Sequence, residues 1–357
     1  MDHRLRRERL ARRLPELGID GLLVTRLPNV RYLTGFTGSN GQVLVVPGGA
    51  VFFTDGRYGE QSRREVPEVE RVVSRDPLPA AVAAAADRGI GRLGFEAAGV
   101  TYRTWEQLRA VDGTELVPVG PEVETLRRVK DRAEVEAIER AQEAADLAFE
   151  RAVLGGALRE GIAERDLALE LELAMRRAGA DEPGFETIVA FGENAAEPHH
   201  HPGDRALARG DVVKLDFGAL RDGYRSDMTR TVAFGAPPAR LRELHDLVAI
   251  AQRAGVAAAR DGASTKEVDR AARRVIEEAG LGEAFPHGLG HGVGLEIHED
   301  PFLRWDREEP LAEGMVVTVE PGVYVPGLGG VRIEDMVEIT ADGCRVLPRS
   351  TKELILL

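Results

Sequence analysis

Hydrophobic residues recur at two different spacings in the first part of the chain, and these spacings predict an α/β unit. Between residues 4 and 17 they lie on one face of a helix, at Leu5, Leu10, Leu14 and Leu17. Short β-branched or aromatic runs separated by Gly, Pro and Asn predict strands. This part is expected to contain strands at 21–25, 42–46, 50–54 and 92–96, with further helices at 79–88 and 101–110.

The segment from Pro118 to Pro121 predicts a domain boundary, because prolines punctuate the chain there. Beyond it, Asp131 with Glu134 has the spacing of a capping box and predicts the start of a long helix, and Ser264 with Glu267 does the same for a later helix. The rest of this part is expected to hold helices at 131–153, 164–177, 238–260 and 264–279, a strand at 187–191, and strands with glycine turns over 285–357. The patterns therefore predict an α/β domain over 1–121 and an α+β domain over 122–357.

A predicted β-hairpin over residues 215–231 carries two acidic residues in an apolar setting. Asp216 lies on the first arm, and Asp227 lies on the return arm after the turn signal Asp222-Gly223. Two carboxylates that face each other in an apolar sheet repel and lose hydration. This arrangement is unfavourable unless a cation lies between the two groups.

Three more residues with ligand chemistry occur in apolar or glycine-rich segments further along the chain: His291, Glu320 and Glu334. A single acidic residue usually caps a turn, but Glu320 lies within a predicted strand of high β-propensity and must be paired if buried. Glu334 raises the same question on a neighbouring predicted strand. Arg332 could neutralise one carboxylate but not four. Four carboxylates and one imidazole suit two divalent ions, Mn²⁺ better than Zn²⁺, with Co²⁺ as a further alternative.

Two other motifs resemble a phosphate-binding loop and a metal-binding histidine cluster, but the details of each motif argue against that function. Residues 288–294 are glycine-rich like a phosphate loop, yet they lack the G-x-G-x-x-G spacing and no helix pattern follows. The run His199-His200-His201 lies in a loop bounded by prolines. Three consecutive side chains on an extended backbone cannot all reach one ion.

Composition narrows the class of protein. The chain has 357 residues, a net charge of -13 and one cysteine. The negative charge argues against nucleic acid as a partner, and a single cysteine cannot form an intrachain disulfide. No apolar core of signal-peptide length follows Met1 and no run is long enough to span a membrane, so a cytoplasmic location is expected.

The second domain closely resembles the metal-dependent "pita-bread" peptidases, in the prolidase and aminopeptidase P branch of the methionine-aminopeptidase-like family. The first domain is similar to the creatinase-like domain of that branch. Together the motifs are highly specific, since all five ligand positions occur in the order and spacing of the family. The matching motifs are Leu215-Asp-Phe-Gly218, Asp227-Met-Thr-Arg-Thr231, the stretch from His287 to His298, Val319-Glu-Pro-Gly-Val-Tyr324 and Arg332-Ile-Glu-Asp335.

The resemblance implies a role for each matching residue. Asp227 would chelate one ion, Asp216 and Glu334 would bridge the pair, and His291 and Glu320 would complete the second ion's ligands. A hydroxide between the ions would be the nucleophile.

Glu320 would also move a proton toward the leaving nitrogen, and His298 would stabilise the oxygen that gains charge. His199 and His287 would contact substrate, and Arg332 would orient the carboxylates.

The implied reaction is hydrolysis of the Xaa–Pro bond at the N-terminus of small proline-containing peptides, by a chain that forms homodimers. Prolidases of this branch commonly carry an arginine shortly after His298-Glu299, as a clamp on the dipeptide carboxylate. Phe302 occupies that position here and cannot act as such a clamp. We therefore expect an Xaa–Pro aminopeptidase, with an Xaa–Pro dipeptidase as the alternative. A catalytically silent binding module and a creatinase-like hydrolase are more remote alternatives.

Overall fold

The structure, a computed structural model, describes all residues from Met1 to Leu357 and contains two compact units, Met1–Arg127 and Arg128–Leu357. Each unit has hydrophobic clusters of its own, made of the buried faces of its helices and strands. No helix has both the length and the apolar character that crossing a membrane requires.

The first unit is built on one six-stranded mixed sheet with the order β4-β3-β2-β1-β5-β6. The central strands β1 and β2 are buried except at the last residue of β2, as expected for a sheet covered on both faces. Its elements are α1 His3–Arg13, β1 Gly21–Val24, α2 Leu27–Thr34, β2 Gly41–Val46, β3 Gly49–Thr54, α3 Gly59–Glu65, β4 Glu70–Val73, α4 Pro77–Asp87, β5 Arg92–Glu96, α5 Tyr102–Arg109, β6 Glu115–Val119 and α6 Glu122–Arg127.

The segment predicted as a domain boundary lies inside this first unit. Pro118 belongs to β6, where it lies opposite Phe95 of β5 in a parallel pair. Proline is tolerated there because β6 is an edge strand, so its missing N–H costs no ladder hydrogen bond. The structural division falls after α6, between Arg127 and Arg128.

The second unit begins with two helices, continues through a hairpin and a helix pair, and ends in strands. Its elements are α7 Arg132–Ala148, α8 Glu164–Arg177, β7 Glu182–Pro183, β8 Ile188–Phe191, β9 Val212–Phe217, β10 Ala219–Arg221, β11 Tyr224–Arg225, β12 Met228–Ala233, α9 Ala239–Ala258, α10 Thr265–Glu278, β13 Gly290–Gly292, β14 Glu299–Leu303, β15 Val316–Val319, β16 Gly322–Val325, β17 Gly329–Arg332, β18 Asp335–Thr340 and β19 Gly343–Val346.

Capping chemistry sets the starts of two of these helices as predicted. The Asp131 side chain accepts from the Glu134 N–H, and the Glu134 side chain accepts from the Asp131 N–H, each at 3.0 Å. Ser264 and Glu267 form the same motif at α10. The predicted end of the first long helix differs, because α7 passes at Phe149 into a π-helical segment, Phe149–Ala157.

The strands of the second unit divide among several small sheets rather than forming continuous ribbons. The orders are β12-β9-β8, β11-β10-β7, β14-β13-β15-β18-β19 and β16-β17. The predicted hairpin is therefore split between two sheets, and Asp227 lies in the gap between β11 and β12. The strands predicted around Glu320 and Glu334 are also broken, since β15 ends before Glu320 and β17 ends before Glu334. Three of the four candidate carboxylates thus lie where a strand passes from one sheet to another.

Candidate metal centre

All nine residues singled out from the sequence line one cavity of about 400 Å³ in the second unit. At its base, the ligand atoms of Asp227, His291 and Glu334 lie within 4.8 Å of one another. Glu320 joins this group through His291, whose Nε2 lies 3.2 Å from Glu320 Oε1. The nine are Asp216, Asp227, His291, Glu320, Glu334, His199, His287, His298 and Arg332.

The backbone of β13 fixes the orientation of the His291 ring. Nδ1 lies 3.1 Å from the Gly292 carbonyl oxygen, which can only accept a hydrogen bond. The hydrogen of a neutral ring is therefore on Nδ1, and Nε2 is the nitrogen directed at the carboxylates. Nε2 lies 3.6 Å from Asp227 Oδ2. This is how metal-binding histidines are commonly oriented, with the second nitrogen held by a backbone carbonyl.

The carboxylates at the base are buried and close together, so their charges oppose one another. Burial, followed by the charges of Glu334, Asp216 and Glu320, raises the pKa of Asp227 well above its usual value. Burial and the charges of Glu320 and Asp216 likewise raise the pKa of Glu334.

Glu320 has the opposite shift. Burial alone would raise its pKa, but the neighbouring imidazoles of His291 and His287 and the guanidinium of Arg332 lower the pKa to about 2.

Arg332 is the buried cation of the site, and each of its three guanidinium nitrogens donates a hydrogen bond to a neighbouring residue. Nη2 donates to Asp216 Oδ2, and Nε donates to Thr229 Oγ1 at 3.0 Å. Nη1 donates to Tyr324 Oη at 2.9 Å and to the Pro198 carbonyl at 3.1 Å. Thr229 Oγ1 in turn donates to Glu334 Oε2 at 2.6 Å. Arg332 thus orients two of the acidic residues, one directly and one through a threonine.

A site for cations fits this arrangement better than a network of ion pairs. One guanidinium faces four carboxylates, and both Asp216 Oδ1 and Glu334 Oε1 are buried without a hydrogen-bond partner. Buried polar atoms normally have a partner, so two such oxygens in one cavity indicate a ligand. A set dominated by carboxylate oxygens, with one imidazole, is the chemistry that divalent ions bind. The residues present therefore fit a metal centre.

Three histidines surround this base at different depths. His298 lies at the exposed side, with its ring 4.3 Å from that of His291. Desolvation by the cavity walls, and then the neighbouring His291, lower the pKa of His298 to about 4. His287 Nε2 lies 2.9 Å from Tyr324 Oη, and burial lowers its pKa. His199 is exposed in the loop that follows β8.

Besides apolar side chains, the outer walls of the cavity include Glu186, His200, His201 and one further cation. Phe185, Ile188, Ile297 and Phe302 contribute apolar surface, and Arg304 lies at the same wall. Arg304 packs across Gly288, where an added Cβ would lie 2.5 Å from its Cγ. Asp306 accepts from Arg304 Nε and Nη2 at 3.0 and 3.1 Å. Of the two arginines at the cavity, only Arg304 retains a donor nitrogen, Nη1, outside these hydrogen bonds.

Family models match both units of the chain. Residues 136–341 match metallopeptidase family M24, and residues 6–129 match the creatinase/prolidase N-terminal domain. The chain belongs to metallopeptidase family M24. The expected creatinase-like first domain and pita-bread catalytic domain are thereby confirmed, and the second unit is an M24 metallopeptidase domain.

Relatives of this M24 chain extend over nearly its whole length. It is 44% identical over 352 residues to the uncharacterized peptidase YqhT of Bacillus subtilis, covering 98% of this chain and 99% of the relative. It is 37% identical over 359 residues to the Xaa-Pro dipeptidase of Pyrococcus furiosus, again covering 98% and 99%.

Solved structures of M24 proteins share the whole architecture. The Xaa-Pro dipeptidase from Bacillus anthracis is similar with a TM-score of 0.97 and 40% identity, covering 100% of both chains. The X-Pro aminopeptidase from Thermotoga maritima is similar with a TM-score of 0.90 and 34% identity, covering 98% of this chain and 99% of that one.

Several residues that shape the site carried no clear signal in the sequence. Thr229 and Tyr324 lie within the family motifs, but their contacts with Glu334, Arg332 and His287 depend on strands far apart in the chain. Arg304 resembles any exposed arginine until the strand before it is placed against Gly288. Lys214 is a lysine within the buried strand β9, and such a residue indicates that its amino group has polar partners inside the protein.

Proposed function

We propose that this M24 metallopeptidase is an Xaa–Pro dipeptidase that binds two divalent ions at the base of the cavity. The observation that carries the proposal is the presence, in one cavity, of the five ligand-type residues, of several apolar wall residues and of Arg304. The metals would supply the hydrolytic chemistry, the apolar wall would receive the proline ring, and the arginine would meet the free carboxylate. Relatives named Xaa-Pro dipeptidase support this activity.

The proposed dipeptidase activity replaces the aminopeptidase activity that the sequence analysis expects from Phe302. That expectation rested on the loss of an arginine after His298-Glu299, but the relatives support the dipeptidase alternative better. Side chains alternate along an extended chain, so residues 302 and 304 project to the same side. Both line the cavity, so the guanidinium of Arg304 can bind the substrate carboxylate in place of the arginine that is absent at position 302. Arg332 cannot, because Asp216, Thr229, Tyr324 and Pro198 occupy it.

The donor set favours Mn²⁺, with Co²⁺ or Zn²⁺ as alternatives, because carboxylate oxygens outnumber the single imidazole. Asp227, Asp216, Glu334, His291 and Glu320 would hold the ions. When bound, the ions would lower the pKa of a water molecule and so provide a hydroxide nucleophile at neutral pH. The side chains around the ions would bind the substrate and transfer the proton.

Each of these side chains has a position suited to its part. Glu320, beside His291, would accept a proton on its carboxylate and deliver it to the proline nitrogen. His298, at the exposed side of the cavity, would donate a hydrogen bond to the carbonyl oxygen as that oxygen gains charge. His199 and His287 would contact the substrate from the two sides of the cavity, and Arg332 would keep Asp216 in place.

Substituting Arg304 by methionine should weaken hydrolysis of a dipeptide acid but spare the corresponding amide. A charge-assisted hydrogen bond contributes about 1.5–3 kcal/mol, which corresponds to a loss of roughly 10- to 150-fold in kcat/KM. The measurement compares alanyl-proline with alanyl-prolinamide for the wild type and Arg304→Met. Arg274→Met, which removes an exposed arginine paired with Glu278 on α10, is the matched control. Equal losses on acid and amide would remove Arg304 from substrate recognition.

An Xaa–Pro aminopeptidase is the second candidate. Phe302 and the likeness to the Thermotoga maritima X-Pro aminopeptidase favour it, since an apolar wall accepts a chain that continues past proline. Faster cleavage of an Xaa–Pro–Yaa tripeptide than of the dipeptide, unaffected by Arg304→Met, would establish this candidate. A cytoplasmic homodimer remains part of the proposal, and sedimentation of the purified chain tests its oligomeric state.

A further inference from the structure

The loop from Gly192 to Gly203, here called the histidine loop, brings His199 to the cavity and is held by buried residues that do not line the cavity. His199 itself is exposed, so its position depends on how the backbone of this loop is fixed. Two fully buried residues with ionisable side chains, Glu164 and Lys214, make most of the contacts that fix it. Neither is among the residues that form the cavity wall.

Glu164, the first residue of α8, binds the two ends of the histidine loop together. Its Oε1 accepts from the Phe191 N–H at 2.8 Å and from Asn194 Nδ2 at 3.0 Å. Its Oε2 accepts from the Gly203 N–H at 3.1 Å and lies 2.9 Å from His200 Nε2. A buried carboxylate needs several donors, and all four here come from this loop or the residue before it.

The second nitrogen of His200 extends this contact within the loop. His200 Nδ1 lies 2.8 Å from Glu197 Oε2, so the ring bridges a loop carboxylate and the buried carboxylate of Glu164. His200 directly follows His199 in the chain. Glu164 therefore fixes the backbone on the C-terminal side of His199.

Lys214 fixes the backbone on the other side. Its Nζ donates to the carbonyl oxygens of Ala195 and Pro198, each at 3.3 Å, and to that of Glu197. Arg332 donates to the same Pro198 carbonyl at 3.1 Å and also to Asp216, so the support of the loop continues into the metal site. Lys214 lies two residues before Asp216 on β9, on the same side of the strand.

We infer that Glu164 and Lys214 are positioning residues, which hold the histidine loop so that His199 is presented to the substrate in one geometry. The inference rests on the proposed function, because His199 is a substrate-contacting residue only if the cavity binds peptides. Neither residue reaches the substrate, and both act through the backbone on either side of His199. A displacement of about 1 Å at a substrate-contacting group can lower a rate on the order of 100-fold.

The test is a double-mutant cycle between Glu164→Gln and His199→Ala. The glutamine keeps the shape of Glu164 but turns one acceptor into a donor that faces donors of the loop. On its own, Glu164→Gln should lower kcat/KM for the Xaa–Pro dipeptide on the order of 100-fold, with metal content unchanged. In the His199→Ala background the same substitution should lower kcat/KM by less than about threefold. Glu164 acts through His199, so little remains to be lost once the His199 side chain is absent.

Two further measurements separate positioning from general damage. Hydrogen–deuterium exchange should rise in the peptide covering 192–203 and stay constant in β9. Glu134→Gln, which alters a buried glutamate at the start of the neighbouring helix α7, should change neither exchange in the loop nor kcat/KM. Should Glu164→Gln fail to fold, Lys214→Met enters the same cycle with the same expectation.

Additive losses in the cycle, or unchanged exchange in the histidine loop, would overturn the inference and leave the proposed function standing. A wild-type chain that cleaves neither dipeptide nor tripeptide would instead overturn the proposed function. In that case increased exchange at 192–203 in Glu164→Gln would still establish that Glu164 holds the loop, but its part in catalysis would be lost.

Discussion

Substituting Asp227 by asparagine should abolish metal-dependent hydrolysis and, in the absence of metal, stabilise the protein. Asp227 lies with His291 and Glu334 in the tightest group of ligand atoms in the cavity. A metal centre supplies several kcal/mol of transition-state stabilisation, so losing one ligand should lower kcat/KM on the order of 1,000-fold or more. Bound metal, measured by mass spectrometry, should fall in parallel.

The effect on stability should have the opposite sign. Burial and three neighbouring carboxylates raise the pKa of Asp227, which means that its ionised form is unfavourable in the folded, metal-free protein. Asparagine has nearly the same shape but no charge. We expect the free energy of unfolding at pH 7–8, measured with urea in the presence of a chelator, to rise by about 1–3 kcal/mol.

The control for this prediction is Asp342→Asn, which removes an exposed carboxylate between β18 and β19. It should leave both activity and stability within experimental error of the wild type. Activity of Asp227→Asn within threefold of the wild type would contradict the metal assignment. Lower stability of this variant without metal would show that the carboxylate has a partner within the protein.

Substituting Gly218 by alanine should have the largest effect on folding of any conservative change near the site. Gly218 lies between β9 and β10, next to the strand that carries Asp216, and an added Cβ would lie 1.8 Å from the Ser226 carbonyl oxygen. Ser226 directly precedes Asp227, so relief of this overlap must move the two aspartates apart. Because the opposing atom belongs to the backbone, we expect a destabilisation of about 3 kcal/mol or more.

The same substitution should also reduce metal binding, because Asp216 and Asp227 would no longer meet the same ions. Thermal or urea unfolding and a metal titration measure the two effects. Gly343→Ala is the matched control, since Gly343, in β19 of the second unit, has no atom within 4 Å of an added Cβ. Normal stability and metal affinity in Gly218→Ala would refute the close crossing of the two arms.

The elements that sequence predicted best are those defined by local chemistry. Helix α8 begins and ends where its periodicity predicts, and the capping boxes at Asp131 and Ser264 mark true helix starts. Both features depend on residues within one or two turns of each other. The five candidate ligand residues lie in short sequence motifs, and the structure places all of them at one cavity.

The features that the sequence could not predict depend on the crossing of distant segments. Continuous β-propensity around Glu320 and Glu334 predicted unbroken strands, whereas each glutamate lies at a break between two sheets. A strand pattern records side-chain alternation, but not the point where hydrogen-bonding partners change. The position of Arg304 at the cavity wall could not be predicted for a similar reason, because it depends on contact with Gly288 in the segment before β13.

The measurement that tests the central claim most directly is peptide hydrolysis by metal-stripped protein before and after addition of Mn²⁺. An Xaa–Pro dipeptide and an Xaa–Pro–Yaa tripeptide are assayed side by side, with bound metal counted in the same samples. We expect no cleavage without metal, and restored cleavage that favours the dipeptide as two ions bind per chain. Absence of cleavage of both peptides in the metal-loaded protein, or full activity without metal, would contradict the proposed function.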